Sequence, residues 1–387
     1  MKLTTEHIIA GGKALARHED GKTVFVRGAL DSETVDVEIT RSKKGFDEAE
    51  VIQVIEPSPN RVSPKCTHVA EGCGGCDWQH IDTAHQSKLR ADIVVESLRR
   101  IAKIEHAVET GPTLPDFNYR TTMRCGVTNG KVELNKYASH ETIPVPDCQI
   151  IHPAMAELIT EGDFGKNTEV TLRVSDTTGK RIVLAETDRG VNLPDDVELA
   201  VVSGRPSEAF LTETILGTEI RYSAESFFQP SRQAAESLVE TVRSMIDADF
   251  SGTLLDAYCG VGLFAATVAS NAKIIAVESS PSAVEDAKVN LKEGARIVET
   301  RIEDFVCPPV DLAIVDPPRK GLDKKGVKAI LNGNPSQIVL VSCDPASFAR
   351  DTALLIEAGF ELDKVVTLDN FAQTSHIETV ANFVKKS

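Results

Sequence analysis

Hydrophobic and polar positions follow two rhythms along the chain, and the change between them divides it. Over the first 55 residues the pattern is short and strand-like. Residues 22–27, 34–41 and 48–55 alternate apolar and polar side chains, and Gly11-Gly12, Gly21, Gly28 and Gly45 punctuate them. Such strands predict a small OB-like β-barrel. Pro57, Pro59 and Pro64 then predict a stiff linker. A helix is expected over 83–104, where Leu89, Ile93, Val94 and Leu98 recur at helical spacing. Between 118 and 225, strand-like runs such as 169–174 and 181–185 alternate with turns, which reads as a mixed β-rich region.

From Gln229 onward helices and fully apolar strands take turns. Helices are expected at 229–246, 263–270 and 281–292, and strands at 253–257, 273–277, 296–300, 312–315, 337–342, 361–368 and 377–384. Strands alternating with helices imply a parallel, doubly wound α/β sheet. The boundaries that follow are 1–57 for the barrel, 58–225 for the β-rich part and 226–387 for the α/β domain.

Composition narrows the function classes. No apolar run approaches 18 residues, so no membrane span is expected. The start, Met1-Lys2-Leu3-Thr4-Thr5, lacks the apolar core of a leader, which points to the cytoplasm. Eight cysteines in that setting read as thiols or metal ligands rather than disulfides. A net charge of −16 argues against a non-specific polyanion binder. Residues 1–150 are less acidic than the rest, with 19 Lys and Arg against 22 Asp and Glu. Contact with RNA would use local patches such as Arg41, Lys43 and Lys44, or Arg99, Arg100 and Lys103. Nothing in the sequence points to an obligate protein partner.

The segment Leu254-Leu255-Asp256-Ala257-Tyr258-Cys259-Gly260-Val261-Gly262-Leu263-Phe264-Ala265 reads as strand, tight turn and helix start. It matches G-x-G-x-x-A, and Glu278 closes the next strand, placed to take the two hydroxyls of a ribose. NAD and S-adenosylmethionine both need such a turn and carboxylate. Asp256 before the turn, and Asp316-Pro317-Pro318 at a later strand end, favour S-adenosylmethionine. Cys343, followed by Asp344-Pro345, ends the strand after that. Ligands of an open α/β sheet lie beyond the carboxyl ends of its strands. A thiol and a carboxylate there predict a reactive site.

Cys66, Cys73 and Cys76 form C-x₆-C-x₂-C, and Cys148 follows after a gap of 71 residues. Thiolates so spaced hold either a structural zinc or an iron–sulfur cluster. His68, His80 and His152 lie close enough in sequence to substitute as zinc ligands. Cys125, Cys259 and Cys307 lack such partners and read as small buried or loop residues.

Ser226-Phe227-Phe228-Gln229, the glycine loop, Asp316-Pro317-Pro318-Arg319-Lys320-Gly321, Ser342-Cys343-Asp344-Pro345 and Thr374-Ser375-His376-Ile377-Glu378 together are familiar. The chain resembles the uracil-C5 RNA methyltransferase family, in the branch with an N-terminal TRAM barrel and a four-iron cluster that modifies large-subunit ribosomal RNA. The resemblance implies a class I Rossmann-like methyltransferase domain, an OB-like TRAM barrel and a central β-rich domain carrying the cluster. It implies that Gln229, Tyr258, Glu278 and Asp316 bind S-adenosylmethionine, that Cys343 is the nucleophile, and that Glu378 is the general base. By the same resemblance Cys66, Cys73, Cys76 and Cys148 ligate a [4Fe-4S] cluster. Phe227 and Phe228 are candidates to stack on the target base, Arg120 and Arg124 to meet phosphate. Ser231 stands where the family usually has Asn, Leu263 where Asn often follows the second glycine, and Ala372-Gln373 where Pro-His is usual. Rival readings are a cytosine-C5 RNA methyltransferase, an amino-group methylase, a tRNA uridine-C5 methyltransferase and a non-catalytic RNA-binding protein.

Overall fold

Five strands close the barrel in the computed structural model, which describes residues 1–202, 208–268 and 270–386: Lys2–Ile8, Ala14–Arg17, Thr23–Arg27, Thr34–Ser42 and Phe46–Glu56. Closure comes from the first strand, which pairs antiparallel with both the second and the fourth. The first two strands were not legible from alternation alone. Ala14, Leu15 and Ala16 are buried in succession, so the second strand does not alternate.

A buried ion pair locks the linker to the barrel. Glu33 is fully buried and accepts Arg61 Nε at 2.5 Å and Nη2 at 2.8 Å, with the amides of Leu30 at 2.8 Å and Ser58 at 3.1 Å. Beyond it, Asp82 caps helix Thr83–Ser97 by accepting from the amides of Ala84 and His85. The helix then widens into a π turn, Leu98–Ala102, and stops at Lys103, whose φ of 58° is left-handed. The expected 83–104 helix is therefore a shorter α-helix with a π turn at its end. Arg99 and Arg100 on that turn both face Glu96.

The central part is a six-stranded sheet in the order Val197–Val201, Arg181–Ala185, Glu169–Val174, Thr122–Thr128, Lys131–Asn135, Thr142–Pro144. Helix Pro153–Glu161, which the strand-like pattern hid, packs Met155, Leu158 and Ile159 into its core.

An eight-stranded sheet follows, in the order Arg296–Glu299, Lys273–Glu278, Thr253–Ala257, Leu312–Val315, Gln337–Ser342, Glu378–Lys385, Phe360–Leu368, Glu109–Thr110. The first five strands in that order are parallel. Glu378–Lys385 is antiparallel to both of its neighbours, so the sheet is mixed rather than wholly parallel. Helix Leu263–Thr267 is shorter than expected; Ala269, in the 263–270 segment, lies outside the described residues. Helices Asp323–Leu331 and Pro345–Glu357, and the hairpin Phe210–Ile215 with Thr218–Ser223, complete the domain. Leu211, Ile215 and Ile220 of the hairpin pack with Leu238 and Val242 of helix Arg232–Arg243. Among the described residues no helix is long and apolar enough to cross a membrane.

Removing one partner of a buried ion pair strands the other, a loss of about 3–5 kcal/mol. Arg61→Met should lower the chemical-denaturation midpoint accordingly. Burial pushes the Glu33 carboxyl up, but Arg61 and the two amides outweigh it and hold the group below its ordinary 4.5. Its contribution is therefore present above that value and lost as pH falls through the folded value. Denaturation curves of Arg61→Met and wild type should converge on acidification, and a gap that widens instead would discard the lock.

Candidate active site

The strand order reverses between Thr253–Ala257 and Leu312–Val315, and a cavity of about 700 Å³ opens there. Its floor is the glycine loop. Gly262 has a φ of 85°, and a Cβ on it would come within 3.0 Å of Leu291, so only glycine lets the loop close against that side chain. Asp256 sits beneath the loop, fully buried. One of its oxygens accepts the amide of Ala265 at 2.9 Å, while the other has no partner. Glu278 lines the cavity with its carboxylate already oriented. Gly260 N donates to it at 3.0 Å, Ser279 N at 2.6 Å and Ser280 N at 2.7 Å.

Cys343 and Glu378 meet on the opposite wall. Ser342 pairs with Thr379 across the antiparallel ladder, and Cys343 and Glu378 are the residues next to that pair. Asp316, at the end of the next strand, lines the same cavity. Burial raises the carboxyls of Asp256 and Asp316 to about 7, and Asp316 adds to the effect on Asp256. Burial, then Asp316, pushes Glu378 well above the carboxylate range. Burial, then Glu378 and Asp316, raises the Cys343 thiol to about 11, while Arg319 pulls the other way. Acids that raise one another in a half-dry pocket suit a cationic ligand.

Gln229 is nearly buried and lines the cavity. Tyr258 lines it too, in a left-handed conformation (φ 61°), but its hydroxyl is buried beside Gly326 of helix Asp323–Leu331. A contact to a ligand would therefore use its ring or backbone. The adjacent phenylalanines separate. Phe228 is buried, stacked on Tyr222 with centroids 4.3 Å apart and planes 3° apart. Phe227 is 69% exposed and lines the cavity. Glu303, absent from the sequence-derived set, also lines it, near Lys320 Nζ at 3.6 Å. Only its place in the short turn after the third strand could have signalled it.

Cys66, Cys73, Cys76 and Cys148 all line a second cavity, of about 210 Å³, with Met123, Leu134, Val145 and Ile151 as apolar walls. All four are free thiols. Among the described residues no three His, Cys, Asp or Glu side chains converge on a single point as an ion site would require. Four thiols around one apolar chamber are a donor set of the kind that holds a structural zinc or an iron–sulfur cluster. Of the histidines only His68 lines this cavity. His68 holds Glu71 at 2.7 Å and Asp147 at 2.6 Å, His152 accepts the Ala154 amide, and His80 does not line the cavity. Arg120 and Arg124 both line it, and Arg124 is paired at 2.6 Å with Glu169 of the neighbouring strand. Cys125, Cys259 and Cys307 are buried.

The sequence profile described as tRNA (Uracil-5-)-methyltransferase matches residues 210–298 and 292–386, and that of the TRAM domain matches residues 3–52. An RNA methyltransferase of Streptomyces avermitilis is 32% identical, over 96% of this chain and 95% of its own. A 23S rRNA (uracil(1939)-C(5))-methyltransferase of Shewanella piezotolerans is 30% identical, over 96% and 93%. The chain belongs to the uracil-C5 RNA methyltransferase family. It is an S-adenosylmethionine-dependent RNA methyltransferase with an N-terminal TRAM barrel. Its fold matches that of the Pyrococcus abyssi tRNA (uracil-54, C5)-methyltransferase crystallised with S-adenosyl-L-homocysteine, with a TM-score of 0.77, 24% identity and 99% of each chain covered.

Departures from the family pattern have local reasons. Ser231 is the N-cap of helix Arg232–Arg243, accepting the Ala234 amide at 3.0 Å. Gln373 exchanges hydrogen bonds with Gln86.

Because Glu278 also caps its own loop, Glu278→Ala would disturb the backbone. Glu278→Gln keeps the shape and removes the charge that would meet a ribose. It should weaken S-adenosylmethionine by roughly 1.5–3 kcal/mol in calorimetry. Unchanged affinity would place the ribose elsewhere.

Proposed function

We propose that this methyltransferase modifies C5 of a uridine in large-subunit ribosomal RNA, through a covalent bond between Cys343 and C6 of the base. The observation that carries the reading is that one thiol and one carboxyl, Cys343 and Glu378, line the same cavity just beyond the Ser342–Thr379 pair of one ladder. The ribosomal assignment draws on the Shewanella relative, similar along nearly its whole length. Transfer RNA is the second reading, favoured by the name of the archaeal enzyme with the same fold.

C5 of uracil is too weak a nucleophile to accept a methyl group unaided. Cys343, as the thiolate, adds to C6 and turns the ring into an enolate whose carbon C5 is nucleophilic. S-Adenosylmethionine supplies an electrophilic methyl group. Gln229, Tyr258, Glu278 and Asp316 would hold it, with Glu278 on the ribose and the buried acids facing the cationic end. Glu378 then takes the proton from C5. The electron pair of that C–H bond forms the C5–C6 double bond, and the C6–S bond breaks to return the thiolate. Phe227, exposed at the rim, is the residue placed to stack on the flipped base. Arg319 and Lys320, also at the rim, and Arg120 beside the second cavity are cations placed for phosphate. Cys66, Cys73, Cys76 and Cys148 would hold a [4Fe-4S] cluster that cross-links the linker to the central sheet. The cytoplasm, where RNA is available, is the compartment that fits.

The two mutants at the catalytic pair should fail at different stages. Cys343→Ala should give neither methylated RNA nor adduct. Glu378→Gln should add and methylate but release roughly 10²–10⁴-fold slower, the usual contribution of a general base. It should accumulate a denaturation-resistant protein–RNA band that carries the transferred methyl group. Wild-type turnover by Glu378→Gln would remove Glu378 from the role.

A thiol raised to about 11 is almost wholly protonated at neutral pH, so the reactive form grows as pH rises. The value of kcat/KM, which reports the free enzyme, should climb close to tenfold per unit between about pH 7 and about pH 9. A flat profile there would mean that the attacking thiol is already ionised. Anaerobically purified protein should be brown, with about four irons per chain; stoichiometric zinc without iron or sulfide would overturn the cluster.

A further inference from the structure

The connection that delivers Glu378 to the cavity has little structure of its own. Residues 369–377 join two antiparallel strands, with turns only and a left-handed Gln373 (φ 66°). Many of its polar groups are met from outside, and one side chain of helix Thr83–Ser97 meets four of its residues. Arg90 is 1% exposed and lies over the Trp78 ring at 5.2 Å. It donates Nη1 to Asp369 Oδ1 at 2.8 Å, Nε to the His376 carbonyl at 3.2 Å, and Nη2 to the carbonyls of Thr374 at 2.9 Å and Phe371 at 3.3 Å. Ser87 donates to the other Asp369 oxygen.

One guanidinium thus grips the loop at four residues, from its first to two before Glu378. A planar fork of five donors can do this; an ammonium on a flexible stem cannot hold four acceptors in fixed directions. Arg90 itself lines neither the 700 Å³ cavity nor the cysteine-lined one, and reaches the first only through the carbonyl of Phe371. What its bonds fix is the position from which the last strand starts, hence the carboxyl that takes the C5 proton.

We propose that Arg90 is a positioning residue for Glu378, and that it governs the release step rather than nucleophilic addition or methyl transfer. This builds on the assignment of Glu378 as the base. Asp316 and Glu278 follow strands that do not pair with the last one, and the strand before Cys343 is held on its other side by Leu312–Val315, so loosening the loop leaves them in place. A carboxyl displaced by about 1 Å can lose roughly 10²-fold in rate.

The test is Arg90→Lys in the full-length protein, beside Glu378→Gln and wild type, with RNA and labelled S-adenosylmethionine. Arg90→Lys should bind S-adenosylmethionine as wild type does and deliver a normal first-turnover methyl transfer. Release should then slow roughly 10²-fold, with build-up of the same methyl-bearing protein–RNA band as Glu378→Gln. A purely structural role would lower the folded fraction and scale every step together, without such a band. If Glu378→Gln accumulates the adduct and folded Arg90→Lys does not, the positioning role is wrong while the base assignment stands. If Glu378→Gln itself accumulates none, the base assignment fails first. Should Arg90→Lys not fold, Asp369→Asn removes the charged end of the grip and leaves the three carbonyl bonds; it should show the same band with a smaller slowing of release. Its absence in folded Asp369→Asn would equally overturn the proposal.

Discussion

The direction of one strand decides where the chemistry can happen. In a parallel sheet only the carboxyl ends of strands reach the ligand crevice. Cys343 and Asp316 arrive there in that way, each just past the end of its strand. Glu378 begins its strand instead, and reaches the crevice because Glu378–Lys385 runs against its neighbours. Threaded in the parallel sense, an eight-residue strand at about 3.4 Å per residue would carry this carboxyl to the far edge of the sheet, roughly 25 Å away. The antiparallel choice has a consequence. The connection before Glu378 must lie on the active face, where it cannot be covered by a crossover helix of its own. Its polar backbone is satisfied by the N-terminal half of the chain: Arg90 takes three carbonyls, Trp78 N donates to Gln373, and Asp77 accepts the Ser375 amide.

Electrostatics at the crevice follow from how little water remains there. Three acids, Asp256, Asp316 and Glu378, face one pocket and its floor, and burial dominates every one of their shifts. Their mutual repulsion means that they do not all ionise in the free protein. A sulfonium ligand is attracted to such a site without any single salt bridge. The same crowding works against a thiolate at Cys343, so the arrangement favours attack only when positive charge is present nearby, from the cofactor or from Arg319. This also reconciles an acidic chain with a polyanionic substrate. The −16 is a sum over the molecule, whereas Arg319 and Lys320 stand exposed at the rim where a phosphate would pass.

Much of this was legible in the sequence. The apolar strands at 253–257, 312–315 and 337–342 coincide with the observed ones, because fully buried strands read as uninterrupted apolar runs. Glu278, Asp316 and Cys343 stood out by their places at strand ends, and all three line the cavity. Three features were not legible. Strand direction leaves no mark in a run such as Val380-Ala381-Asn382-Phe383, since a strand buried on both faces reads alike in either sense. Helices Asp323–Leu331 and Pro345–Glu357 were passed over; the second opens with Asp344 capping the Ser347 amide, a signal that the Cys-Asp-Pro motif obscured. The separation of Phe227 from Phe228 depends on the partner ring of Tyr222, about which neighbouring sequence says nothing.

The barrel is more than an appendage on this core. Gly12, in its first hairpin, has a φ of 79°, and a Cβ there would fall 2.6 Å from Ser375 Cβ and 2.8 Å from Trp78 Nε1. The barrel therefore touches the same loop that Arg90 grips, and touches it where no side chain can be inserted. Trp78 itself donates Nε1 to the Gly12 carbonyl at 3.4 Å and carries Arg90 over its face. Barrel hairpin, cysteine-rich segment and catalytic loop thus share one packed contact around a single tryptophan. Interiors at native density do not absorb displacement locally. A displacement of the barrel hairpin would therefore meet Ser375, three positions before Glu378.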